Sequence, residues 1–253
     1  MLDIKAIGKS FGGLVALKDV HFSVKERTIS ALIGPNGAGK TTLLNIISGI
    51  FPPDTGDISF LGTSISTLPS TKIARAGISR TFQQVELFGD MTVLENIMVG
   101  RYPKTRAGFI SSGLRLPYVI REERQIRNLS LEILDYIGLS SRKDELSSSL
   151  PLGEQRILEI GRALATEPDL LLLDEPAAGL NIKETRGLGE MICRIRDEKK
   201  ITILLVEHDM DLVMRISNRI TVLNFGEVIA KGTPSEVQKN QAVIAAYLGT
   251  EEE

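Results

Sequence analysis

The chain has 253 residues, 42% hydrophobic and 25% charged, with a formal net charge of −2. That suits a globular protein with a sizeable core, in one domain or one domain carrying an insertion, and the charge gives no sign of a nucleic-acid partner. The single cysteine, Cys193, rules out an intrachain disulfide; no run reaches the ~20 apolar residues of a membrane span, and no basic start with an apolar run marks a signal peptide.

From the N-terminus, "MLDIKAIGKSF" and "LVALKDVHFSV" alternate apolar and polar residues between glycines, which predicts antiparallel strands. "TISALIGPNGAGKTTLLNIISGI" reads as a strand, a glycine-rich loop and a helix with Leu43, Leu44, Ile46 and Ile47 on its apolar face. A turn and short strand follow in "FPPDTGDISFLG". A mainly helical insertion is expected over about 85–165. Within it "KTRAGFISSGLRLPYV" reads as a loop or broken helix. In "REERQIRNLSLEILDYIGL", Ile126, Leu129, Ile133, Leu134 and Ile137 share a helical face, with Gly138 as the stop.

From residue 168 the pattern changes. "PDLLLLDEP" and "KKITILLVEHD" are continuous apolar runs, as in strands buried on both faces of a parallel sheet. Cys193, among Met191, Ile192 and Ile195, is expected to be a buried structural thiol. "NRITVLNFGEVIAKG" reads as a hairpin turning at Asn224–Gly226, and Thr233, Pro234 and Glu236 form a capping box. The closing "EEE" is expected to be a solvated tail. No repeat or low-complexity tract interrupts this α/β pattern.

"GPNGAGKT" satisfies the spacing G-x-x-x-x-G-K-[ST] between a strand and a helix. Gly34, Gly37 and Gly39 let the backbone wrap phosphate, with Pro35, Asn36 and Ala38 completing the loop, and the start of the helix adds partial positive charge. Lys40 is expected to reach the β- and γ-phosphates of ATP. Thr41 is expected to bind Mg²⁺, with Thr42 beside it in the nucleotide-binding segment. In "LLLLDEP", Asp174 ends a buried strand where its carboxylate can serve Mg²⁺, and Glu175 can polarise the attacking water.

With "GPNGAGKTT", "TFQQ", "LPLGEQR", "LLLLDEP" and "LLVEHD" in this order, the chain resembles the ATP-binding-cassette (ABC) ATPases over nearly its whole length. The resemblance implies one ABC ATPase domain spanning residues 1–253. Its fold would be an α/β P-loop ATPase core with a mainly parallel sheet, an N-terminal antiparallel β subdomain and an inserted helical subdomain. It implies that Gln83 senses Mg²⁺ and touches a membrane partner, that His208 contacts the γ-phosphate, and that Phe11 stacks on adenine. Asn181 stands where the family usually has aspartate.

The family's L-S-G-G-Q signature reads L-P-L-G-E-Q here, with Pro151 in place of serine. In the family this stretch acts in trans, across a head-to-tail pair of identical or different ATPase subunits, so Gly153 and Glu154 would face the partner's nucleotide. Proline is accepted in a first helical turn, so the substitution removes one hydroxyl and leaves the helix end in place. "RTFQ", "DEPAAGLN" and the closing "AYLG" resemble the ATP-binding subunits of branched-chain amino-acid importers, and the long insertion resembles the larger of that system's two ATPases. This implies two transmembrane permease subunits, an extracytoplasmic binding protein acting indirectly, and a peripheral position on the cytoplasmic face of the membrane. Urea or amide importers, lipid or lipopolysaccharide exporters and soluble ABC ATPases are the alternatives.

Overall fold

The computed structural model describes residues 1–104 and 117–248. The loop or broken helix expected over 104–119 therefore falls mostly outside the described residues, as does the C-terminal "EEE". The chain divides into two compact units: residues 1–80 with everything from 169 onward, and residues 81–168.

The first unit opens with β1 (Leu2–Phe11) and β2 (Leu14–Val24), paired antiparallel. β3 (Ile29–Ile33) runs into the glycine loop, and α1 (Lys40–Ile47) leaves it. β4 (Thr55–Phe60) pairs with β1, and β5 (Thr63–Ser64) completes a four-stranded antiparallel sheet in the order β2-β1-β4-β5. Then come α2 (Ser70–Arg75) and β6 (Ile78–Arg80).

The second unit is helical. α3 (Val93–Gly100) starts on a capping box in which Thr92 accepts from the Glu95 amide and Glu95 returns the bond. α4 (Pro117–Tyr136) carries the expected apolar face, with Leu134 buried on the helix and Ile137 buried just beyond it. Gly138 ends it at φ +79°. α5 (Leu152–Leu164) packs close to both: a Cβ at Gly161 would sit 2.5 Å from Ile137 Cδ1 and 2.8 Å from Ile97 Cδ1, so a larger residue there would push those side-chain ends aside.

Back in the first unit, β7 (Leu170–Asp174), α6 (Ile182–Lys199), β8 (Thr202–Val206) and α7 (Met210–Ile216) alternate. The β9 (Arg219–Asn224) to β10 (Glu227–Gly232) hairpin turns at Phe225–Gly226, and α8 (Pro234–Gln238) and α9 (Gln241–Leu248) follow. The second sheet has the order β10-β9-β3-β8-β7-β6, parallel except for β10. Every residue of β3, β7 and β8 is buried, which is why their sequences do not alternate. Leu43, Leu44, Ile46 and Ile47 of α1 join one core cluster with Leu2, Ile4, Ile58, Leu172 and Leu204. Truncating Leu44 to alanine in such a core costs about 2–5 kcal/mol. Cys193 departs from expectation: it is half-buried, because on α6 it borders the buried stripe of Met191, Ile192 and Ile195.

Candidate active site

Three neighbouring parallel strands, β3, β8 and β7, end on the same edge of their sheet, and their C-terminal loops carry the candidate chemistry of the first unit. The loop after β3 is fixed by backbone demands. Gly34 has φ +154°, and a Cβ there would lie 2.1 Å from the Leu223 carbonyl oxygen. Gly39 has φ +100°, and a Cβ would meet Ala16 O and Leu17 Cδ2 at 2.7 Å. Side chains are excluded at both positions. Pro35 is half-buried, Asn36 and Gly37 are exposed, and Ala38 is buried beneath the loop. Thr41 is exposed at the start of α1, with Thr42 half-buried next to it.

Lys40 is buried, and its Nζ donates to Gly34 O at 2.7 Å and Pro35 O at 3.0 Å. Burial pushes its pKa down, and the Glu175 and Asp174 carboxylates pull it back up. The lysine therefore already feels both acidic residues of β7's end. Asp174 is almost fully buried and pairs with Arg80, Nη2 to Oδ2, at 2.8 Å. Glu175 has φ +47°, a left-handed backbone that is uncommon for a residue with a long side chain and typical of functional turns. Its amide is held by Val206 O at 2.9 Å, and its Oε2 lies 3.6 Å from His208 Nδ1. Phe11 is 46% exposed and packs edge-to-face with Phe51, ring centroids 5.3 Å apart.

Sequence reasoning missed two residues here. Arg80 also donates to Asn45 Oδ1 at 2.7 Å and Ser48 Oγ at 3.0 Å, joining α1 to Asp174. Glu207, 1% exposed, accepts from the amides of Ala177 (2.7 Å), His208 (3.0 Å) and Asp209 (3.3 Å). It ties the loop after Glu175 to the loop of His208. Burial pushes its pKa up, against those three donors.

The second unit holds Gln83, Gly153 and Glu154. Arg156 of α5 donates to Phe82 O at 3.2 Å and Gln83 O at 2.7 Å, while Glu159 accepts the Phe82 amide at 3.1 Å, so one helix grips the exposed Gln83 segment by its backbone. Pro151 is the N-cap of α5, not a member of its first turn: at φ −56° and ψ 152° it stands one residue before the helix begins. Gly153 and Glu154 lie in that first turn, and Glu154 is 3.5 Å from Arg142. Asn181 caps α6, its Oδ1 accepting from the Glu184 amide at 3.0 Å. An aspartate would accept the same bond; what the asparagine lacks is the charge.

A glycine loop between a buried strand and a helix, its lysine facing two acidic residues at the end of a nearby parallel strand, defines a P-loop nucleotide-binding protein. The profile of the family described as "ABC transporter" matches residues 17–178, and that described as "Branched-chain amino acid ATP-binding cassette transporter" matches 227–253. Over 249 residues and 98% of each chain, the sequence is 45% identical to the high-affinity branched-chain amino acid transport ATP-binding protein LivG of Salmonella typhimurium. A nucleotide-free ATP-binding cassette from an ABC transporter superposes with a TM-score of 0.86 at 31% identity, over 98% of this chain and 99% of that one. A dimeric bacterial ABC transporter cassette gives 0.78 at 27% identity, over 92% and 99%. The chain belongs to the ATP-binding subunits of ABC transporters and is an ATPase.

Proposed function

We propose that this chain is the ATP-hydrolysing subunit of an importer of branched-chain amino acids, held at the cytoplasmic face of the membrane by two permease subunits. No helix among the described residues is long and apolar enough to cross a membrane, so on this reading attachment runs through other chains. The observation that carries the substrate class is the 45% identity to LivG over 98% of both chains. The dimeric cassette supports a pair of ATPase subunits; in the proposed pair they lie head to tail, with Gly153 and Glu154 of one subunit completing the partner's site.

In the proposed mechanism the phosphates of ATP enter the loop Gly34–Gly39, and Lys40 exchanges its carbonyl partners for phosphate oxygens. Phe11 stacks on adenine through its exposed face. The Thr41 hydroxyl and Asp174 carboxylate are hard oxygen donors of the kind Mg²⁺ takes, and Thr41 follows Lys40, whose ammonium feels the Asp174 charge, so the donor set fits that ion. When bound, Mg²⁺ neutralises charge on the phosphate oxygens. Gln83 reports on that site to the permease. Glu175 takes a proton from the attacking water as its oxygen bonds to the γ-phosphorus. The bond to the bridging oxygen breaks, and ADP and phosphate leave. His208, beside Glu175, stabilises charge on the γ-phosphoryl oxygens.

Deleting the gene in its host should abolish high-affinity uptake of labelled leucine. The wild-type gene should restore it, and Glu175→Gln should not. Purified Glu175→Gln protein should form an ATP-dependent dimer on gel filtration. Undiminished uptake in the deletion strain would remove the substrate assignment, and wild-type turnover by Glu175→Gln would remove the role of that carboxylate.

A further inference from the structure

The Arg80 guanidinium lies between two parts of the nucleotide site. Its side chain is 7% exposed and that of Asp174 is 2% exposed, so their ion pair at 2.8 Å is screened by little water. Its other terminal nitrogen holds Asn45 and Ser48, at the far end of the helix that Lys40 begins. The planar fork of arginine offers its two terminal nitrogens to acceptors on two elements, where lysine would offer a single nitrogen. A hydrophobic residue of similar volume packs as well as a buried ion pair or better, so stability alone is weak grounds for placing an arginine here.

Electrostatics supply better grounds. Asp174 and Glu175 put two carboxylates at the strand end next to the phosphate loop, and a nucleoside triphosphate brings further negative charge. Before a divalent cation arrives, Lys40 and Arg80 bring positive charge to this group of residues. We propose that Arg80 is a positioning residue for nucleotide: it is the standing counter-charge of Asp174 and lets the site accept ATP without a divalent cation. The proposal rests on the nucleotide reading of the Gly34–Thr42 loop. It gives Arg80 no contact with phosphate; the residue acts through Asp174.

The test is ATP affinity, by calorimetry, in excess Mg²⁺ and in EDTA. Wild-type protein should bind in both. Arg80→Met removes the guanidinium charge paired with Asp174, so affinity in EDTA should fall by about tenfold or more, while in Mg²⁺ the cation supplies the missing charge and the loss should stay under about threefold. Arg80→Lys keeps the charge and should bind in EDTA more tightly than Arg80→Met. The double variant Arg80→Met/Asp174→Asn removes both charges and should regain affinity in EDTA relative to Arg80→Met. Equal losses with and without Mg²⁺ would show a purely structural arginine and overturn the proposal, as would a double variant no better than the single one. Wild-type protein that binds ATP in Mg²⁺ but not in EDTA would overturn the proposal alone. Wild-type protein that binds in neither would overturn the nucleotide reading itself. Should Arg80→Met fail to fold, the double variant is compared with wild type: it should bind in EDTA within about threefold of wild type, and a loss of about tenfold or more confined to EDTA would overturn the proposal.

Discussion

Glu207 shows how one buried carboxylate can frame the chemistry of its neighbours. Two oxygens accept three backbone N–H groups, one from the loop that follows Glu175 and two from the loop that begins with His208. Glutamine has the same shape but only one accepting oxygen, and its NH₂ would face an N–H that needs an acceptor. Glu207→Gln should therefore lower ATP turnover by about tenfold or more, as for lost transition-state alignment, and leave ATP affinity within about threefold, since the phosphate loop keeps its contacts. Steady-state ATPase and equilibrium binding check this; parallel losses in both would reduce Glu207 to a stability group. Glu207 and Arg80 were not legible in the sequence for the same reason. Arg80 meets Asp174 across 94 positions, and Glu207 meets Ala177 across 30. No local pattern marks such partners. Lys40, Asp174 and Glu175 were legible because the phosphate loop and the strand-end acidic pair encode their geometry over a few residues.

At the scale of elements, α5 does two jobs. Its N-terminus carries the unusual L-P-L-G-E-Q stretch, and its next turns grip the backbone of Phe82 and Gln83. Pro151 keeps the entry into the helix extended but offers no side-chain cap, so the first amides of α5 have no bond from it. Serine at an N-cap would accept one of those amides and stabilise the helix by about 1 kcal/mol. Pro151→Ser should therefore raise the melting temperature and change ATPase activity only a few-fold, since one hydrogen bond of about 1 kcal/mol is at issue. A hundredfold change in turnover would mean that residue 151 itself governs the signature. The capping boxes show what local reading reaches. Thr233–Glu236 is legible because proline at the first helical position marks it. Thr92–Glu95 and Asn181–Glu184 have the same spacing without that proline, and the spacing alone does not single them out. The alternating strands of the first sheet and the apolar runs of the second are legible because burial on one face or on two writes a different period into sequence.

Across the whole molecule, carboxyl groups pull stability in opposite directions with pH. A bond from the Thr92 amide holds Glu95 below the ordinary glutamate range, the Thr233 amide does the same for Glu236, and the Ser64 hydroxyl lowers Asp57. For these groups the unfolded chain binds protons more readily, so their contribution is full above the ordinary carboxylate range and is lost as pH falls through their folded values. Glu159 and Glu207 run the other way. Burial raises both, so the folded chain holds their protons longer; their share is greatest at the acid end and shrinks as pH rises through their folded values. Replacing both with glutamine removes the second set and leaves the first. Whatever the double variant loses in absolute stability from its disturbed hydrogen bonds, the change with pH has a fixed sign. Its melting temperature should climb more steeply than that of the wild type between about pH 4 and pH 7. Calorimetric melting at several pH values in that interval measures the slope. A slope equal to or shallower than that of the wild type would mean that Glu159 and Glu207 titrate no higher in the folded chain than in the unfolded one, and that the backbone amides around Glu207 outweigh its burial.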